Sequence, residues 1–187
     1  LSLYSLTNYA GGHTDLVAGG VTGRRALIDR LRLTRGAFGS QLDPHSSWMI
    51  ARSVDTLGLP MRRAPATGSQ VSIRPVKVLH PQLIDDARYQ QVYRRQCRGA
   101  GSTFSFVLDG GRATAFRFIN ALSLFKSAVS LGGTESLICH PASTTHSGVP
   151  LEVREQVGVG EGLIRMSIGL EHEEDLIADL ENALKHC

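Results

Sequence analysis

The sequence predicts a mixed chain of the α/β class that ends in an α+β layer, with helices on one face of a sheet. Three observations carry this expectation. Apolar and polar residues alternate with strand period at Ser102–Leu108, and Leu163–Ile168 is a short apolar run of strand length. Helical periodicity follows each of them, after Gly110–Gly111 and over Glu173–Lys185. A hydrophobic share of 42% in 187 residues suffices for the core of one soluble globular domain, or of a small domain plus part of another.

In chain order, residues 1–5 read as the end of a strand, Thr7–Thr14 as a loop and Leu16–Thr22 as an apolar, glycine-containing strand. Arg24–Arg35 is helical, with Leu27, Ile28 and Leu31 on one face. Asp43–Pro44 is a cap-then-proline start for a helix to about Leu57, which groups Trp48, Ala51 and Arg52 within one turn. Gly58, Pro60, Pro65, Gly68 and Pro75 then punctuate residues 58–75, so no long helix is expected there and the stretch reads as a linker. Asp85–Cys97 is a polar helix closed by Gly99 and Gly101. In the strand Ser102–Leu108, Phe104 and Phe106 face the core; Trp48 is assigned to a core as well. The next helix carries Ala115, Phe118, Ile119 and Leu122 on one side, and Phe125–Leu131 reads as a further strand. The terminal helix begins with acidic residues and ends with Lys185 and His186, as the helix dipole prefers. No repeat or low-complexity segment interrupts the chain.

The composition excludes several classes. A net charge of +3 comes from 20 basic and 17 acidic residues mixed along the chain. The denser basic stretches, Arg24–Arg35 and Arg94–Arg98, lack interleaved aromatics, so no nucleic-acid partner is expected. No apolar run reaches the length of about 18 residues that spans a bilayer, so no membrane partner is expected either. Cys97, Cys139 and Cys187 are odd in number and far apart, without zinc-ligand or disulfide-framework spacing. A reducing, cytoplasmic setting is the expectation. Leu1 and the strand-like alternation after it suggest a segment upstream.

Several motifs fail. The glycines at 19, 20 and 23 do not form GxGxxG, and no phosphate loop GxxxxGK[ST] exists. Seven histidines are scattered without metal-ligand spacing, and no GxSxG elbow occurs. Candidate anion binders remain. Ser5 and Thr7 alternate at a strand end before a glycine turn, as an ordinary polar strand end or as two hydroxyls for a phosphate. Arg165 sits in the apolar strand Leu163-Ile164-Arg165-Met166-Ser167-Ile168 and needs an anion, either an internal carboxylate or that of a ligand. Ser130 precedes the tight turn Gly132–Gly133, and His13 and Asp15 form either an acid–base pair or a loop contact.

Four ordered blocks join these pieces. They are Ser5-x-Thr7-x-Tyr9 with Gly11-Gly12-His13-x-Asp15 and Gly19; Ala128-Val129-Ser130-Leu131-Gly132-Gly133-x-Glu135-Ser136-Leu137; His140-Pro141-Ala142-Ser143-x-Thr145-His146; and Ile164-Arg165-Met166-Ser167-Ile168-Gly169-Leu170-Glu171. Together they resemble the Cys/Met-metabolism family of pyridoxal-phosphate enzymes, which includes cystathionine γ-synthase, cystathionine γ-lyase, O-acylhomoserine sulfhydrylases and methionine γ-lyase. The resemblance covers the C-terminal half of a family member. It implies the end of an aspartate-aminotransferase-like (fold type I) large domain over residues 1–60, a linker over 61–84 and the α+β small domain over 85–187.

The resemblance implies pyridoxal 5'-phosphate as cofactor, Ser5 and Thr7 as contacts to its phosphate, and Arg165 with Ser130 as the holder of the substrate carboxylate. Val129 stands where cystathionine γ-lyases resemble one another in carrying glutamate. An apolar residue there implies a substrate without a second amino group, and methionine γ-lyase-like elimination ahead of γ-replacement on a homoserine ester. The implied assembly is a homo-oligomer, a tetramer built as a dimer of dimers, or a pairing with a chain that carries the N-terminal half. The pattern is broken at one catalytic position: Asn8 occupies the place of the Schiff-base lysine, and an amide is neither basic nor nucleophilic. The ring-stacking aromatic and the aspartate partner of the pyridine nitrogen belong to the absent upstream half. Relatives also run a longer helix through the Pro65–Pro75 stretch. The chain alone is therefore expected to be inactive, and its alternative reading is a non-catalytic partner subunit or a structural fragment.

Overall fold

Alternation across Thr103–Val107 sets the architecture of the larger part of the molecule: Phe104 and Phe106 are buried, while Thr103, Ser105 and Val107 are half-buried on the opposite face. A strand so patterned calls for an apolar layer on one side only. The computed structural model describes residues 1–70 and 77–187 and supplies that layer. Pro75, in the expected linker, lies outside the described residues. The chain divides into two units, Leu1–Leu59 and Pro60–Cys187.

In the first unit, β1 (Ser2–Ser5) pairs antiparallel with β2 (Gly19–Thr22), and Ser5 lies opposite Gly19. Helix α1 (Arg25–Phe38) stops at Gly39, which takes the left-handed conformation at φ 71°. Helix α2 (Pro44–Thr56) starts as its sequence predicts, with Pro44 at the first position and the Asp43 carboxylate accepting the Ser46 N–H at 2.9 Å. Neither helix has a buried residue. Trp48 is therefore a correction: it is 56% exposed, stacked on His45 and with the Arg52 guanidinium 5.7 Å above its ring. Within this unit no apolar layer covers α2.

The second unit is built on a five-stranded sheet in the order β3 (Lys77–Leu79), β4 (Thr103–Val107), β7 (Leu163–Ser167), β6 (Leu137–Cys139) and β5 (Lys126–Ser127). Only the β5–β6 pairing is parallel among the described residues. Helices α5 (Gly111–Ala121) and α7 (Glu173–Leu184) pack on one face, where Phe106, Phe118, Ile164, Met166, Ile168, Leu176 and Leu180 form the core. Phe106 and Phe118 meet edge to face with centroids 5.5 Å apart. Helix α4 (Ala87–Gln96) is capped by Asp86, and α6 (Leu151–Gln156) is a short helix before β7.

Three sequence readings are corrected here. The stretch expected to carry no long helix contains the 11-residue α3 (Pro60–Gln70), with Pro65 inside it. Pro60 sits at the helix start, where its missing N–H costs nothing, and the inner face is small: Ala64, Thr67 and Gly68 are buried. An added Cβ on Gly68 would lie within 4 Å of Ile168, Ser102 and Phe104, so close packing offsets the hydrogen bond lost at Pro65. The strand expected over Phe125–Leu131 shrinks to β5, since Ala128 makes the last bond to β6 (its N–H to Ile138 O, 3.0 Å) before the chain leaves the sheet. Within Leu16–Thr22 only the last four residues pair as β2. Strands β3 and β6 and helix α6 were not anticipated.

Candidate functional site

In the first unit, Ser5 closes β1, and Thr7 and Asn8 lie on the tight turn that follows it. The N–H groups of Leu6 and Thr7 both donate to Ala18 O (2.9 and 3.2 Å), and Gly11 N–H closes back on Leu6 O at 2.8 Å. Thr7 Oγ1 accepts the Ala18 N–H at 2.9 Å and directs its own proton at Ala18 O over a longer 3.3 Å. Tyr9, next to Asn8, is held at φ +54°, a left-handed value uncommon for a bulky residue. Gly11 is required by space, because a Cβ there would come within 3.0 Å of the carbonyl oxygens of Leu6 and Thr7. Ser5 is exposed. His13 and Asp15 are exposed too, and no hydrogen bond joins their side chains among the described residues.

In the second unit, the outer face of the sheet brings together Val129, Ser130 and Arg165. Strand period puts Ile164 and Met166 in the core and Arg165 on the opposite face, level with Ser105 of β4 and Cys139 of β6. The Arg165 Nη2 group donates to Val129 O at 2.8 Å and to Ser130 O at 2.9 Å. Its Nε is buried and has no hydrogen-bond partner. No carboxylate forms a salt bridge with it among the described residues, so the internal-carboxylate alternative finds no partner there. A cleft of about 640 Å³ is lined by Arg165, Thr103, Ser105 and the apolar Leu79, Leu83 and Ile84. Burial pushes the Cys139 thiol up, partly countered by the Arg165 charge, so it stays a protonated core group. The two sets of candidates thus fall in separate units.

Three polar groups of this unit, His140, Glu161 and Asp179, were given no role by the sequence reading. His140, 2% exposed, contacts Glu161 O through Nε2 and the Ser143 hydroxyl through Nδ1, both at 2.8 Å. A carbonyl only accepts, so Nε2 carries the proton. Glu161 joins Arg112 (2.7 Å) and the buried Arg154 (3.2 Å), which holds its carboxyl below the usual carboxylate range. Asp179 accepts the N–H groups of Ser123, Leu124 and Phe125 at 2.9, 2.9 and 3.4 Å. A signal for it existed: an acidic residue on the same face of α7 as Leu176, Leu180 and Ala183.

The model of the Cys/Met metabolism PLP-dependent enzyme family matches residues 1–185. The chain belongs to this family. It is 42% identical over 191 residues to an L-methionine gamma-lyase of Pseudomonas deceptionensis, a match over 98% of this chain and 48% of that protein. It is 39% identical over 199 residues to the cystathionine gamma-synthase of Escherichia coli (strain K12), covering 99% of this chain and 50% of that one. A cystathionine gamma-lyase from Lactobacillus plantarum, solved in complex with L-serine, superposes with a TM-score of 0.90 at 35% identity, over 98% of this chain and 50% of that one. The chain spans about half the length of the relatives it matches.

A member of the Cys/Met metabolism family needs a phosphate cradle and a covalent anchor for pyridoxal phosphate. The first is compatible with the turn at Ser5–Thr7. Ser5 is exposed, and the Thr7 proton makes only a long bond to Ala18 O, from which it can turn while Oγ1 keeps accepting from Ala18 N–H. On the same turn, the Asn8 amide nitrogen has no nucleophilic lone pair and does not fit a covalent anchor. No helix among the described residues is long and apolar enough to cross a membrane, and no group of metal-binding side chains is found among them.

Proposed function

We propose that this chain supplies two parts of a pyridoxal-phosphate enzyme of sulfur amino acid metabolism, the cofactor-phosphate turn at Ser5 and Thr7 and the substrate-carboxylate group at Arg165, Ser130 and Val129. Residues 1–60 are then the end of the large domain, 61–84 the connecting segment, which carries all of α3 but its first residue, and 85–187 the small domain. The supporting observation is Arg165: a half-buried cation with no carboxylate beside it among the described residues, bound only to two neutral carbonyls. Such a charge calls for an anion, and a guanidinium suits a carboxylate.

Bound pyridoxal phosphate supplies an electron sink for negative charge developing at the α and β carbons of an amino acid. Arg165 orients that amino acid by its carboxylate. Val129, exposed and apolar, offers no counter-charge to a second amino group, which favours a methionine-like substrate and γ-elimination over γ-replacement on a homoserine ester. Asn8 takes no proton from the α carbon, so the turn has binding groups and no base. The assembly is a cytoplasmic homo-oligomer, a dimer of dimers as in the family. A second reading, a non-catalytic partner subunit, is favoured by the same Asn8.

The test joins this chain to the upstream half of the Pseudomonas deceptionensis L-methionine gamma-lyase. With Asn8 the fusion is expected to release no 2-oxo acid from methionine above a heat-killed control. Asn8→Lys is expected to raise release at least about a hundredfold, the usual worth of a positioned acid–base group. Equal activity of the two forms would remove this reading. Inactivity of both, with the unfused chain binding the intact relative, would favour the partner subunit.

A further inference from the structure

The end of β7 and the residues just after it grip one loop. Arg165 Nη2 holds Val129 O and Ser130 O. Two residues on, Ser167 Oγ accepts the Gly132 N–H at 2.9 Å from a side chain 1% exposed. Leu170 N–H donates to Thr134 O at 2.8 Å. Ser136, fully buried, donates from N and from Oγ to the two carboxylate oxygens of Glu171, 2.7 Å each, and its Oγ accepts the Gly169 N–H at 2.9 Å. A Cβ on Gly169 would collide with the backbone of Thr134 and Glu135. Spacing by two puts Arg165 and Ser167 on one face of β7, and Gly169 and Glu171 follow in the segment between β7 and α7.

We propose that Ser167 and Glu171 are positioning residues for Arg165. They pin the middle and the far end of the Val129–Ser136 loop, so that its two leading carbonyls sit where they occupy both protons of Nη2. The guanidinium is thereby fixed in advance, with its remaining donors left for an anion, and the ordering of a long flexible side chain is not charged to ligand binding. The anion is a ligand carboxylate, and this last clause rests on the function proposed above. The clamp itself does not.

The experiment is ¹⁵N–¹H NMR of the whole chain, with the Arg165 guanidinium signals assigned by their loss in Arg165→Lys. In the native chain the Nη2 protons are expected to exchange slowly with water. Ser167→Ala is expected to speed that exchange at least about tenfold, as the loss of one hydrogen bond of the loop allows, and Ser167→Thr, which keeps the acceptor, to restore it. Should Ser167→Ala fail to fold, Glu171→Gln replaces an acceptor facing Ser136 Oγ and is read in the same way. Unchanged Arg165 exchange in folded variants, even with lowered thermal stability, would overturn the proposal, since a merely structural serine or glutamate leaves that signal alone. Addition of L-methionine separates the two claims. Native Arg165 signals that do not respond to it, together with faster exchange in Ser167→Ala, would uphold the clamp and remove the carboxylate reading.

Discussion

At Arg165 the fold leaves a cation on a half-buried sheet face and answers it with backbone carbonyls; at His80, just after β3, it answers a titratable ring with burial. His80, 6% exposed, accepts the Gln82 N–H on Nδ1 at 3.3 Å and lies edge-on to Phe104. Burial pushes its pKa below the ordinary 6.5. The folded state therefore prefers the neutral ring, while the unfolded chain takes up a proton near 6.5. Stability from this site is complete above 6.5 and declines as the pH drops through that value toward the lower folded pKa. Thermal unfolding scanned between about pH 7.5 and 5.5 is expected to fall more steeply in the native chain than in His80→Gln; parallel curves would contradict it. At this scale the sequence was half legible. An arginine in an apolar strand stands out from its neighbours, and so does Asn8 against its motif. The carbonyls that hold Arg165 are backbone groups of a distant loop, and no residue type announces them.

Among the elements, α3 shows why breaker residues mislead. Proline and glycine report only local cost, about 3 kcal/mol for an interior proline, whereas at Gly68 α3 runs close to residues more than thirty positions away, Ser102, Phe104 and Ile168. The helix persists in spite of Pro65, so Pro65→Ala, which restores an N–H to the ladder, is expected to raise stability by about 1–3 kcal/mol in urea unfolding. A loss would mean that the ring itself packs a site its neighbours need. Strand β6 was hidden for the opposite reason: Leu137, Ile138 and Cys139 are all buried, so three residues covered on both faces show no alternation. Strand β4 and helices α2, α5 and α7 were legible because one face of each pattern, or a cap, stands out in a single segment.

For the molecule as a whole, local patterning showed the layered second unit, and the four sequence blocks pointed to the family. Patterning did not show that α1 and α2 bury nothing within the first unit, because an amphipathic helix shows that a face is apolar and not what covers it. The central claim is that the chain keeps the binding groups of a pyridoxal-phosphate enzyme and lacks the group that bonds the cofactor. Its most direct test is to incubate the fusion described above with pyridoxal phosphate, reduce it with borohydride, and examine by mass the tryptic peptide that contains residue 8 and runs to Arg24. With Asn8 that peptide is expected to carry no pyridoxyl group although the protein takes up the cofactor reversibly, and with Asn8→Lys it is expected to be labelled. Stable labelling of the Asn8 protein at Lys77, Lys126 or Lys185, to the same extent as the Asn8→Lys form, would contradict the account.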